Sequence, residues 1–106
     1  MKKLLSIIAL MSTLVAGAVY AGGHSPMNIV FTHHSSASNP FWQAVKKGFD
    51  DACNKIEANC QMIFTQTEGA IDQQAANMMA ALAGNPDALL TSIVDNNAFD
   101  EIIQRA

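Results

Sequence analysis

Met27 to Thr32 (MNIVFT) is a short apolar run containing β-branched and aromatic residues, which predicts a buried strand. A polar loop, His33 to Asn39, follows it. From Pro40 to about Ala58 the period changes to helical: Phe41, Val45, Phe49, Ala52, Cys53 and Ile56 form one stripe. Lys46, Lys47, Asp50, Asp51, Asn54 and Glu57 lie on the other side. Asn39 is suited to capping this helix with its side-chain oxygen, and Pro40 to its first helical position. Cys60 to Thr65 (CQMIFT) predicts a second strand, and Glu68-Gly69 a turn. Ile71, Ala75, Met78, Met79 and Leu82 then make a second helical stripe that stops at Gly84-Asn85-Pro86. Ala88 to Ile93 (ALLTSI) predicts a third strand. Asp95-Asn96 predicts the cap of a third helix carrying Phe99, Ile102 and Ile103.

The order βαβαβα implies an α/β fold: parallel strands joined by right-handed crossovers, with flanking helices on both faces. The loops at Ser35, Thr67 and Ser92 to Asp95 then open on one edge of the sheet, the edge where open α/β sheets bind ligands. The residues beyond 21 are few for a doubly wound sheet, and no finishing strand follows Ile103. The chain is therefore expected to be the first part of a longer protein, or a truncated copy of one.

The N-terminus carries an export signal by its layout. Met1-Lys2-Lys3 is basic, Leu4 to Val15 is almost wholly apolar, and Val19-Tyr20-Ala21 puts a small residue at a cleavage position. The apolar run falls short of the ~20 residues a membrane span needs. Residues 1–21 are thus expected to be a cleaved signal peptide and 22–106 the exported domain. Loss of Lys2 and Lys3 leaves 4 Lys and Arg against 9 Asp and Glu, which turns a formal charge of −3 into −5. So acidic a domain has little with which to neutralise phosphates, and nucleic acid is not expected as a partner. In an oxidising compartment, Cys53 near the end of one helix and Cys60 at the start of the next strand are expected to pair as a disulfide. Their spacing does not suit a Cys-x-x-Cys metal site, and no His lies near them in sequence.

The candidate chemistry gathers at the predicted ligand edge. Phe41 and Trp42 stand at the strand-to-helix turn, where adjacent helix residues point about 100° apart, so one ring can face the sheet and the other the loop edge. On periodicity Phe41 fits the buried stripe better than Trp42. An aromatic face beside neutral hydrogen-bonding groups is how a pocket holds an uncharged polyhydroxy ligand. Ser35, Ser36, Ser38 and Asn39 supply such groups, with no Arg or Lys among them. Ser92 and Asp95 follow the third strand, where a carboxylate could accept protons from two hydroxyls or, equally, cap the last helix. His33-His34 lies at a strand end, where neighbouring side chains point to opposite faces, so the pair does not suit one metal ion. The chain has no nucleophile elbow, metal signature or phosphate loop. No catalytic residue, metal or cofactor is expected.

These residues resemble the periplasmic solute-binding proteins of sugar ABC transporters, of the ribose-binding type. The likeness runs from the polar loop ending N-P-F-W (39–42), through K-K-G-F (46–49) and a second βα unit, to N-P-D-A-L-L (85–90) and Asp95 beyond the third strand. It implies that the chain is part of the N-terminal lobe of a two-lobed, hinged fold that encloses a sugar between its lobes. It further implies that Phe41 and Trp42 form an aromatic clamp, Asn39 a capping amide and Ser35 a first-strand hydroxyl. Ser92 falls where the family often has an amide, and Asp95 on an acidic position. The ligand implied is a sugar or sugar alcohol, the partner a membrane permease, the location the periplasm, and the full-length protein a monomer. A sensor feeding a chemoreceptor or kinase is the alternative within the same fold, and an exported α/β enzyme the alternative outside it.

Overall fold

Three strands form the sheet in the computed structural model, which describes residues 23–106. The expected signal peptide lies outside the described residues. The elements run β1 (Asn28–Ser36), α1 (Pro40–Lys55), β2 (Asn59–Thr65), α2 (Ile71–Ala83), β3 (Ala88–Thr91) and α3 (Asp100–Arg105), the predicted order. The strands are parallel in the order β2-β1-β3, with β1 in the middle. The chain steps to one side of β1 for β2 and to the other for β3, so right-handed crossovers put α1 and α2 on opposite faces.

Side chains of β1 alternate accordingly. Phe31 and His33 meet Trp42 on α1, and Phe31 also packs edge to face on Phe49 of that helix, with centroids 5.6 Å apart. Thr32 turns the other way: its hydroxyl donates to Thr91 Oγ1 at 3.2 Å, and Thr91 Oγ1 lies 3.6 Å from Met78 Sδ on α2. On this second face Met78, Phe99 and Ile102 form the buried core, flanked by Ile71, Ala75 and Leu82.

The first strand extends four residues beyond its predicted end. The apolar signal stops at Thr32, but pairing with β2 resumes at Ser36↔Thr65 after an irregularity between Thr32 and Ser36. His33, His34 and Ser35 are therefore strand residues, not loop residues. Helix α1 starts at the predicted cap, where Asn39 Oδ1 accepts from the Phe41 N–H at 3.0 Å. It stops at Lys55, three residues before the expected end, because Glu57 takes a left-handed conformation (φ 53°) that turns the chain toward β2. The third helix also begins later than predicted, as Asp95 Oδ1 accepts from the N–H groups of Asn97 and Ala98 (both 2.9 Å) and stabilises a turn instead.

Cys53 and Cys60 form the expected disulfide, tying the last turn of α1 to β2 with a Cα–Cα distance of 6.2 Å. Closing so short a loop in the unfolded chain contributes about 2.5 kcal/mol by chain entropy. Reducing the bridge is expected to lower the urea midpoint of unfolding by an equivalent amount, with the slope little changed. Coincident curves with and without reductant would show that α1 needs no staple.

Candidate functional site

The carboxyl end of β1 and the loop after β2 are locked together by one carboxylate. Glu68 Oε2 accepts from the Ser35 hydroxyl at 2.5 Å and from the Ser36 N–H at 3.2 Å, while Oε1 accepts from Asn39 Nδ2 at 3.0 Å. Gly69 allows this return: its φ of +73° is one that L side chains rarely adopt, and its N–H donates to the His34 carbonyl at 2.7 Å. The Ser35 hydroxyl, reinforced by Ser36 and Asn39, holds the Glu68 carboxyl below the usual carboxylate range, so it is ionised at neutral pH. Three donors leave room on an exposed carboxylate, with about four acceptor sites, for one more. Asn39 is thus used at both ends of its amide, its oxygen capping α1 and its nitrogen donating to Glu68.

The aromatic pair takes the opposite arrangement from the one its periodicity favoured. Phe41 is 66% exposed, whereas Trp42 is half-buried, its indole stacked on His33 with centroids 4.2 Å apart and planes 9° from parallel. Positions 41 and 42 both fit a 3.6-residue repeat with Val45 and Phe49, so spacing did not separate them. The strand decided the matter by placing a flat imidazole where Trp42 can cover it. Phe41 stands edge to face on the outer part of this cluster, 5.3 Å from Trp42 at 90°.

Ser35 is fully buried and committed to Glu68. Ser92 lies elsewhere on the rim, its Oγ 2.9 Å from His34 Nδ1, and the His34 ring stands edge to face on Trp42 at 5.5 Å. His34 thereby links the Ser92 end of β3 to the aromatic pair. Asp95 sits apart, beside an open crevice of about 650 Å³ between Gly69–Gln73 at the start of α2 and Ala98. The structure therefore groups Ser35, Asn39, Phe41 and Trp42 around Glu68 and His34, with Ser92 adjoining and Asp95 on a second crevice. Among the described residues no cluster of three His, Cys, Asp or Glu is placed to hold a metal.

Two residues of this rim were missed from sequence. Glu68 stood in the sequence only as part of a turn, and local pattern cannot show that its carboxylate folds back on β1. Gln74 is fully buried, its Nε2 donating to the Ser92 carbonyl at 2.8 Å and to Thr91 Oγ1 at 3.0 Å. Its signal was present: position 74 falls between Ile71 and Met78 at helical spacing, so a polar side chain belonged to the buried face and needed partners.

Residues 29–106 match the periplasmic binding protein domain family, and the chain belongs to it. Over 83 residues, 78% of this chain, it is 30% identical to the xylose/arabinose-binding protein XylF of Sulfolobus acidocaldarius, covering 20% of that relative. It is 26% identical over 100 residues, 93% of the chain, to the ABC transporter periplasmic-binding protein YphF of Escherichia coli K12, covering 30% of it. The fold is that of a periplasmic sugar-binding protein of an ABC sugar transporter from Legionella pneumophila, with a TM-score of 0.72 and 24% identity. That match covers 76% of this chain and 29% of the other. The chain thus spans a fifth to three tenths of the length of these relatives, which are named as binding proteins and not as enzymes.

Proposed function

We propose that this chain forms part of the first lobe of a two-lobed solute-binding protein that captures a sugar or sugar alcohol in the periplasm for an ABC transporter permease. The observation that carries the reading is the exposed Phe41 ring, seated on Trp42 at the carboxyl end of a parallel sheet, beside polar groups that Glu68 holds in place. A phenyl face stacks on the C–H face of a sugar, and a fixed carboxylate accepts a hydroxyl proton. Among the described residues the partners of Glu68 are Ser35, Ser36 and Asn39, with no cationic side chain hydrogen-bonded to it, which favours a neutral ligand over an anion. The names of XylF and YphF, a pentose-binding protein and an ABC transporter component, support the ligand class and the partner. The Cys53–Cys60 disulfide supports an oxidising compartment, and the basic-apolar N-terminus supports export. In this reading the protein performs no covalent chemistry: closure of two lobes on the solute supplies both affinity and the state that the permease engages.

The test is a thermal-shift panel on the full-length protein. Pentoses, hexoses and polyols are expected to raise the melting temperature, a ligand at a hundredfold its Kd contributing about 2.7 kcal/mol. Stabilisation by amino acids or inorganic anions, with every sugar silent, would overturn the reading.

A further inference from the structure

His33 is the most enclosed polar ring of the described residues. It is fully buried in the middle of β1, between the Trp42 indole and the rings of Phe31 and Phe64, which meet it edge to face at 5.9 and 4.6 Å. Its Nδ1 accepts from the Ser35 N–H at 3.2 Å, so in the neutral ring the proton resides on Nε2. That Nε2 is buried and has no hydrogen-bond partner among the described residues. A buried donor without a partner is destabilising, and a valine or phenylalanine here would avoid that penalty.

We propose that His33 is a positioning residue for Trp42: a neutral imidazole platform that fixes the indole plane, leaving only its opposite face and edge for a ligand. The ligand part of this proposal rests on the sugar-binding reading; the positioning part does not. With one face sealed at 4.2 Å, Trp42 cannot be gripped from both sides, so the second aromatic surface offered to a solute is that of Phe41. Ser35 couples the platform to the carboxylate clamp, since its N–H holds His33 Nδ1 while its hydroxyl holds Glu68.

The platform titrates. Burial and the neighbouring His34 hold the His33 pKa below 6.5, and Glu68 in the β2–α2 loop opposes them. On α1, Lys46 and Asp50, four and eight residues after Trp42, are paired with each other and half-exposed. The segment of β2 that faces β1, from Cys60 to Thr65, carries no charged residue. Because the unfolded ring binds its proton more readily than the folded one, the stability due to neutral His33 is fully present above 6.5. It is lost as pH falls from there toward the folded value. A charged imidazole against an indole face also quenches indole emission, so Trp42 reports the titration directly.

The experiment is a pH titration of Trp42 emission, taken as the difference between the protein and its Trp42→Phe variant, with far-UV circular dichroism recorded in parallel and no ligand present. A loss of emission with a midpoint below 6.5, at constant dichroism, is expected. It should persist in His34→Gln and vanish in His33→Phe. Acrylamide should reach Trp42 no better in His33→Phe than in wild type, but clearly better in His33→Ala. Where His33→Phe does not fold, the ring-proton resonances of His33 in the wild type must show the same midpoint as the emission. A midpoint that follows His34, emission loss that coincides with unfolding, or unchanged acrylamide access in a folded His33→Ala would each overturn the proposal. A silent sugar panel would instead strike the proposed function and leave this result standing.

Discussion

Replacing Phe41 by alanine is expected to weaken sugar binding by the full-length protein roughly ten- to a hundredfold while leaving its melting temperature almost unchanged. The two effects separate because the ring is 66% exposed in the folded chain. An exposed side chain contributes little to folding, and surface substitutions stay within about 0.5 kcal/mol. Covering the same ring with a ligand removes apolar area comparable to burying a Phe side chain, about 1.5–3 kcal/mol, and each 1.4 kcal/mol is tenfold in Kd. Trp42→Ala should differ, losing affinity and stability together, since its indole also stacks on His33 and meets Phe31 at 6.0 Å. Titration calorimetry with the sugar that gives the largest thermal shift measures one effect, and thermal unfolding the other. Unchanged affinity in Phe41→Ala would remove Phe41 from the site.

Phe99→Ala is expected to cost about 3–5 kcal/mol of folding stability, the range for truncating a buried aromatic residue. Phe99 is only 1% exposed and joins Met78 and Ile102 at the centre of the core. Buried apolar residues are few, Cys53, Met78, Ala81, Phe99 and Ile102 among those described, and Cys53 stands apart from this cluster on α1. Whole domains are stable by only about 5–15 kcal/mol, so this one truncation removes a large share. Ile103→Ala is the control, since Ile103 neighbours Ile102 in sequence but is 50% exposed. A urea series should put Ile103→Ala near wild type and Phe99→Ala far below it. Equal, small losses for both would mean that α3 and the turn before it are not docked on the sheet.

Core residues announced themselves in the sequence where burial and apolar character coincide, as at Met78, Phe99 and Ile102. The element order, the Asn39-Pro40 helix start and the Cys53–Cys60 bridge follow from capping chemistry, fixed φ and proximity across a tight turn, all local properties. The rim was harder for the opposite reason. His33, His34 and Ser35 are polar, so they resembled a loop, yet aromatic stacking and the Glu68 carboxylate satisfy them within a strand. Phe41 and Trp42 exchange roles because a partner 9 residues earlier, invisible to helical spacing, selects the ring that turns inward. Glu68 lies a strand and a helix away from the Ser35, Ser36 and Asn39 groups it holds, and only the parallel register brings them together. Local rules thus reach the scaffold, while the site depends on contacts made across it.

The most direct test of the account is a crystal structure of the full-length protein with the stabilising sugar bound. The sugar is expected at the carboxyl edge of the sheet, its carbon face within about 4 Å of the Phe41 ring and a hydroxyl donating to Glu68. A sugar seated elsewhere, with Phe41 still in solvent and Glu68 bonded only to Ser35, Ser36 and Asn39, would contradict it.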